Sequence, residues 1–541
     1  MRKKLVNTLL ATIAIILSNN TLAQQNIALC PEKPKLVLLI LIDNLNNEQL
    51  DIVRQKCGPD GFNRICTFGT QLSNAHYDAG GNYAGKNLAT LFTGAPASTH
   101  GIVAEQWIDN FTSKKIHAIY GDAYNNAGKL DTTATPRNGN LLCSTIGNEI
   151  RKIYNNKAHF ISLGFNPNML MWSSGTNVPE PVVWFNERTG QFVSQNIVND
   201  EVRNIISDFN SKHISDLCLE KTWSPLHDIS EYHEWRYFNK GTEQRIFYYP
   251  LKQANARSKY ARLAGSPYGN QMVRDMAASI LLCGNLGKDD VPDMLTVQFT
   301  ATPSCGHKMQ PIDAETEDML LRLDENIASL LKVIDHDIGM DNTLVLLTAA
   351  QGCYDVANTD TEHWKSWGTV SLHRTSALLN LYLMALHGQA KWVRNYASGE
   401  IYLDQKLCED KKVSFDILLN EAAQFMKQVT GVADAVVAKQ LPNIYSDSPV
   451  IETMRRNYHP QRSGDILLNL NPGWAEEQDD GSELTQLWGK EYVPLVFYGW
   501  KVPRNTIYER HNMADVAPTI CSFIKVSVPN GCSGVQIPIL K

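Results

Sequence analysis

Residues 35–43 read KLVLLILID, an unbroken apolar run that ends in an acid. A continuous run, rather than an alternating one, fits a central parallel strand covered on both faces. The next stretch, NLNNEQLDIVRQ, reads as a helix. Four further segments look like core strands: 158–164 (AHFISLG), 293–299 (DMLTVQF), 343–349 (TLVLLTA) and 493–498 (VPLVFY). Between the second and third of these lies PIDAETEDMLLRLDENIASLLKVIDH, residues 311–336. There Met319, Leu320, Leu323, Ile327, Leu330, Leu331 and Ile334 recur at spacings of three and four, the period of an amphipathic helix. Strand, long helix, strand is a βαβ unit, so the predicted class is α/β with a mostly parallel sheet flanked by helices.

Two less regular segments, about 165–285 and 376–485, carry many of the Trp, Tyr, Pro and polar residues. They are predicted to be cap insertions over one end of that sheet. Ligands in such folds bind beyond the carboxyl ends of the strands. Asp43, the 300–307 loop and the 350–355 loop are therefore expected to gather there. The run LVLLTAAQGC (344–353) places Ala350 and Gln351 at a strand tip where many hydrolases carry metal ligands.

The bulk numbers exclude some classes. The chain has 541 residues, 43% apolar and 20% charged, which is ordinary for a globular protein. Its net charge of −6 offers no broad basic face for nucleic acid. The N-terminus, MRKKLVNTLLATIAIILSNNTLAQQ, has a basic start, an apolar run and a small-x-small ending at Thr21 and Ala23. It is predicted to be a secretory signal peptide, residues 1–23, cut after Ala23. Ser18, Asn19 and Asn20 end the run well short of the ~20 residues a membrane span needs. A periplasmic or secreted chain without a membrane span is expected. Of its eleven cysteines, Cys57/Cys66 and Cys521/Cys532 are close enough in sequence to be pairing candidates in an exported protein. Spacing alone does not set the connectivity. No CxxC pair is present, which argues against a zinc ribbon.

Six blocks, in order, carry a family resemblance: LLILIDNLNNEQL (38–50), LFTGAPASTHGI (91–102), SPYGNQMVRDMA (266–277), EDMLLRLDENIASLL (317–331), YVPLVFYG (492–499) and NMADVAPTICSFIKVSVPNG (512–531). Together they resemble the alkaline phosphatase superfamily over about residues 35–540. The type is the secreted alkaline phosphatase with a Thr nucleophile, related to nucleotide pyrophosphatase/phosphodiesterases. The resemblance implies an alkaline-phosphatase-like fold and two zinc ions that clamp a phosphoryl group.

Carried over position by position, the resemblance implies a depleted site. The first-strand metal ligand is present as Asp43. The nucleophile, eight residues before Phe92, corresponds to Ala84, which has no oxygen to attack with. Of the Asp-x-x-x-His ligand pair, His307 remains and Pro303 replaces the Asp. The Asp-His pair after the 343–349 strand corresponds to Ala350 and Gln351, and the last His to Tyr492. The phosphate-holding Asn corresponds to Glu105, which would repel an anion, and a Lys-x-Arg pair to Asn166 and Asn168. Two of six ligands survive, Asp43 and His307, and the resemblance assigns them to different zinc sites, where stable binding takes three or four.

Two functional readings follow. The preferred one is an exported pseudoenzyme that acts by binding a protein or small-molecule ligand in the former cleft, with no cofactor. The other is a phosphate- or sulfate-ester hydrolase with a rebuilt zinc site. Asp43, His307 and the nearby Asp355, Asp360, Glu362, His363 and His373 would supply ligands, and Thr90 or Thr93 the nucleophile. Both threonines stand far along the helix from its N-terminus, where the dipole favours an anion. Ser304, Cys305 and Cys353 lie near His307 in sequence, but a thiol in an exported chain more often pairs or is buried.

Overall fold

In the computed structural model, the described residues are 31–80, 83–125, 130–131, 134–155, 157–173, 175, 181–195, 200–232, 247–252, 259–302, 312–351, 368–477, 483–485 and 488–540. The chain divides into two units, residues 1–32 and 33–541, and every described element lies in the second. The expected signal peptide lies outside the described residues.

The main sheet contains β1 (Leu36–Asp43), β2 (Thr70–Gly80), β3 (Phe160–Gly164), β4 (Val182–Asn186), β5 (Gln191–Gln195), β6 (Asp293–Thr300), β7 (Thr343–Thr348), β12 (Trp488–Tyr492), β13 (Leu495–Gly499) and β14 (Asn505–Asn512). Val393–Ala397, Glu400–Leu403, Val432–Val437 and Ile466–Leu470, β8 to β11 in chain order, form a separate sheet. The spatial order is β12-β2-β13-β7-β1-β6-β3-β4-β5, with β14 paired to β2. β1 is central and pairs in parallel with both β6 and β7. Every residue from Leu36 to Ile42 is 1% exposed or less, so both faces of β1 are covered, as its unbroken apolar run requires. Each such side chain contributes about 1.5–3 kcal/mol on burial. The 493–498 segment does form a core strand, β13, but it runs antiparallel to β7. β2, eleven residues of mixed polarity, was not legible as a strand; Thr70, His76 and Tyr77 are buried in it while Ser73 is exposed.

The helices used below are α1 (Asn47–Arg54), α2 (Ala84–Thr93), α3 (Pro167–Leu170), α4 (Pro267–Cys283), α5 (Ala314–Asp337), α6 (Leu372–His387), α7 (Phe415–Met426) and α8 (Pro449–Asn457). α1 starts with a capping box, Asn46 and Gln49 each accepting from the other's backbone N–H. α5 is the long helix read from the 311–336 pattern, and Asp313 caps it by accepting from the Thr316 N–H at 2.7 Å. α4 packs on α5 and β6.

Within residues 165–285, β4 and β5 extend the main sheet and α4 joins its helical layer. Within residues 376–485, the irregular pattern conceals a four-stranded antiparallel sheet: β8 (Val393–Ala397), β9 (Glu400–Leu403), β10 (Val432–Val437) and β11 (Ile466–Leu470), ordered β8-β9-β11-β10. α6 and α7 cover it through Leu379, Leu383, Leu418, Leu419 and Ala422. Short strands broken by helices hid this small core from a reading based on period.

Candidate functional site at the strand ends

Parallel register brings the carboxyl ends of three strands level. Asp43 pairs with Thr300 of β6, and Leu41 with Thr348 of β7. Asn270 of α4 fixes the end of β6: its side chain accepts from the Thr300 N–H at 3.0 Å and donates to the Thr300 carbonyl at 2.8 Å. Burial pushes the Asp43 carboxyl up to about 6, partly offset by the Asn44 backbone N–H. Asn44 has φ of 56°, a left-handed conformation that Asn tolerates. There its Nδ2 donates to Thr302 Oγ1 at 2.6 Å and its Oδ1 accepts from Gln351 Nε2 at 2.6 Å. One amide thus bridges the loops after β6 and β7. Ala350 is fully buried, and its carbonyl accepts from Asn87 Nδ2 at 3.0 Å.

Ala84 is the first residue of α2. Tyr83, at the N-cap, makes no side-chain cap. Instead its ring folds over the start of the helix. A Cβ placed on Gly85 would lie 2.4 Å from the Tyr83 hydroxyl and 2.7 Å from the Asn168 carbonyl oxygen. A side chain at 85 is therefore excluded, and the space above the first turn is filled by the protein itself. Tyr83 is 8% exposed, and its hydroxyl has no hydrogen-bond acceptor among the described residues.

The loop that supplies Asn168 is firmly held. Gln298 Oε1 accepts from the N–H groups of Phe165 and Asn166 at 3.1 and 3.0 Å. Asn166 caps α3, accepting from the Asn168 N–H at 2.9 Å. Trp172 Nε1 donates to the Asn168 carbonyl at 2.7 Å. Asn168 Nδ2 donates to Glu105 Oε1 at 3.1 Å, and His117 Nε2 lies 3.7 Å from that oxygen. The structure thus brings Glu105, Asn168 and the start of α2 together.

Other candidates fall elsewhere. Tyr492 pairs with His76 across β12 and β2, with ring centroids 5.7 Å apart. Thr93 Oγ1 donates to the Ala89 carbonyl within the helix. His100 Nδ1 accepts from the Ile102 N–H at 3.1 Å, which leaves Nε2–H to donate to Thr90 Oγ1 at 3.1 Å. Burial lowers the His100 pKa to about 3, so the ring is neutral. Both threonine hydroxyls are thus engaged in scaffold contacts beyond the first turn. His373 lies in the first turn of α6, edge-on to Tyr396 at 6.2 Å. Pro303, Ser304, Cys305, His307, Cys353, Asp355, Asp360, Glu362 and His363 lie outside the described residues. The pairing candidates Cys57, Cys66, Cys521 and Cys532 all carry free thiols, as do Cys143, Cys218, Cys283 and Cys408.

One feature escaped the sequence reading. Lys86 is 1% exposed and donates to the Gly80 carbonyl. Burial lowers its pKa to about 8, opposed by Glu491 and Glu400. It lines a small cavity of mixed polarity with Asp78, Asn87, Pro96, Ala97, Arg456 and Asn512. Its status as the lone charged residue in the ten of α2 was the available signal.

Among the described residues, the donors at the positions that the family resemblance names do not fit a two-zinc clamp. Ala84 and Ala350 offer methyl groups, Gln351 is engaged with Asn44, and Tyr492 faces His76. Among the described residues, no three His, Cys, Asp or Glu side chains gather closely enough to hold a metal ion.

A mostly parallel sheet with a carboxylate ending its central strand makes this an α/β protein whose site is sought at the strand ends. The family described as Type I phosphodiesterase / nucleotide pyrophosphatase matches residues 37–501, so the chain belongs to that family, within the alkaline phosphatase superfamily. It is 24% identical over 517 residues to alkaline phosphatase PafA of Elizabethkingia meningoseptica, covering 93% of this chain and 94% of the relative. It is 23% identical over 514 residues to alkaline phosphatase PhoV of Synechococcus elongatus, covering 93% and 92%. The crystal structure of wild-type PafA superimposes with a TM-score of 0.79 at 23% identity, covering 94% of this chain and 99% of that one. That likeness establishes the shared fold. Among the described residues, no helix is long and apolar enough to cross a membrane.

Proposed function

We propose that this chain is an exported, periplasmic or secreted, pseudoenzyme of its family that acts by binding, through a protein or small-molecule ligand in the former cleft. The observation that carries this reading is Ala84 at the first position of α2. The helix N-terminus that would favour a phosphoryl anion presents a methyl group there. The Tyr83 ring over Gly85 and the Glu105 carboxylate beside Asn168 support it, since one fills the seat and the other repels an anion. Without nucleophile or metal, both the positioning and the electrostatic contributions to phosphoryl transfer are missing. A second reading, an ester hydrolase with a rebuilt zinc site, draws on the retained Asp43, whose carboxyl stands at the end of the central strand.

The test is metal content measured together with hydrolysis of a panel of phosphate mono- and diesters, on the purified mature chain in excess zinc. No stoichiometric zinc and no turnover above a denatured control are expected. Bound metal with turnover would overturn the proposal and make Asp43 and His307 the first residues to mutate.

A further inference from the structure

α6 is apolar on both of its sides. It reads LHRTSALLNLYLMALH and contains no acid. Leu372, Leu379 and Leu383 are buried on the small sheet of β8 to β11. The opposite side holds Leu378 and Leu381, 57% and 59% exposed, with Ala377 and Ala385 exposed beside them. A helix that is apolar all round is normally covered all round. Here the sheet covers one side and the other is open.

The open stripe is symmetric about Leu381. Ala377 and Ala385 stand four residues before and after it, on one ridge of the helix. Leu378 and the half-buried Met384 stand three residues before and after. Arg374 and Gly388, both exposed, stand seven residues before and after, one at each end. Leu386 is also exposed, but it projects about 140° away from Leu381 around the helix. A stripe that reads alike in both directions complements itself when a second copy lies antiparallel across a two-fold axis. The alanines leave grooves for Leu378 and Leu381 of the second copy, and let the helix axes approach to about 8–10 Å.

The charges set the direction. Arg374 lies in the first turn of its own helix, where the dipole disfavours a cation. Among the described residues no carboxylate pairs with it. In an antiparallel pair it stands beside Gly388 of the second copy, just past the last carbonyls of that helix. There a cation is favoured and a guanidinium finds acceptors. Glu421, 2.5 Å from His387, adds a carboxylate at the same end. A parallel pair would set Arg374 against Arg374.

We propose that the open side of α6 is a dimer interface, on which a second copy of this chain docks antiparallel across a two-fold axis at Leu381. A single helix pair is small beside the roughly 800 Å² per partner of a standard interface, so the dimer is reversible, with a dissociation constant on the order of 10 μM. The inference is independent of the reading of the cleft.

The experiment is sedimentation equilibrium of the mature chain from about 1 to about 200 μM, a range that brackets that constant. It is repeated on Leu381→Glu, Leu386→Glu and Arg374→Glu, with thermal melts to confirm folding. The parent should pass from monomer to dimer. Leu381→Glu sets two carboxylates against each other on the axis and should weaken the dimer at least about tenfold. Leu386→Glu makes the same change off the stripe and should leave the constant within about twofold. Arg374→Glu should weaken it by about three- to tenfold; tighter association instead would mean a parallel pair and overturn the geometry. A parent that stays monomeric at about 200 μM, or a dimer that Leu381→Glu leaves intact, would overturn the inference. So would a monomer that cosediments with phosphatidylglycerol vesicles and loses that binding in Leu381→Glu, because the stripe would then belong to a lipid surface.

Discussion

Gln351 Nε2 donates to Asn44 Oδ1 at 2.6 Å, and through Asn44 the loop after β7 is tied to Thr302 in the loop after β6. Neutral amides join strand ends that, by family resemblance, a metal ion would otherwise hold through carboxylate and imidazole. An amide offers a donor and an acceptor on one side chain, so Asn44 serves both neighbours without a net charge. Gln351→Ala should cost about 1 kcal/mol, the usual net value of one such bond, read from the shift in a urea unfolding midpoint. A neutral result would mean that the bridge adds nothing to the stability of the strand ends.

The same arrangement predicts indifference to metal. A ligand that binds only the folded state stabilises it by about 2.7 kcal/mol at a hundredfold excess over its dissociation constant. Adding zinc or EDTA to the mature chain should therefore leave the thermal midpoint within about 1 °C. A clear rise with zinc, reversed by EDTA, would point to ligands beyond those at the described strand ends.

Restoring a hydroxyl should not restore chemistry. Ala84 is partly exposed at the start of α2, so Ala84→Thr is expected to fold, at a propensity cost of about 0.5 kcal/mol or less. Its activity against phosphate esters should stay at the level of an Ala84→Val control. A nucleophile without a metal to activate it and without a clamp on the phosphoryl oxygens lacks the larger part of the catalytic effect. Turnover by Ala84→Thr alone would mean that a metal-bearing site persists.

How far the sequence was legible follows from the range of each interaction. β1 and α5 announce themselves because burial on both faces, or on one stripe, repeats along a short stretch of chain. Asp43, Ala350 and Gln351 were placed correctly at strand ends because parallel pairing levels those ends. The Tyr83 ring over Gly85 was not legible. It depends on a contact with Asn168, whose loop is fixed by Gln298 more than a hundred residues further on. Lys86 was missed for a related reason: its burial is set by the Gly80 carbonyl and by Glu491 and Glu400 from distant segments. Tyr492 was matched by resemblance to a ligand position; what the sequence did not show is that its strand pairs with β2 and sets the ring against His76.

Tyr83 offers a test of burial without a partner. A buried hydroxyl that finds no acceptor loses the hydrogen bond that it would donate to water, and the contact with Trp172, an N–H donor, does not replace it. Tyr83→Phe should therefore leave stability unchanged or raise it by up to about 1 kcal/mol. Tyr83→Ala should instead cost about 3 kcal/mol, because it empties the space above Gly85. Urea unfolding of the two variants separates the outcomes. A Phe variant destabilised as much as the Ala variant would show that the hydroxyl, not the ring, holds this corner.

Glu400 in β9 gives the clearest pH signature. It is 7% exposed, and its carboxylate accepts from the Gly464 N–H at 2.7 Å and the Tyr402 hydroxyl at 3.2 Å. Burial nevertheless dominates and raises its pKa from 4.5 to about 7, with those bonds and Lys86 opposing. Between these two values the folded chain holds the proton while the unfolded chain releases it. The folded state then binds more protons, so stability falls as pH rises from about 4.5 to about 7 and levels off above. The full difference is on the order of 3 kcal/mol. Glu400→Gln keeps an acceptor for Gly464 and removes the titration, so its stability should vary less across that window. At pH 8 the variant should equal or exceed the parent, and below pH 4.5 the gap should close or reverse. Parallel urea titrations at pH 4.5, 6 and 8 measure this, and identical pH slopes for the two proteins would remove Glu400 as the cause.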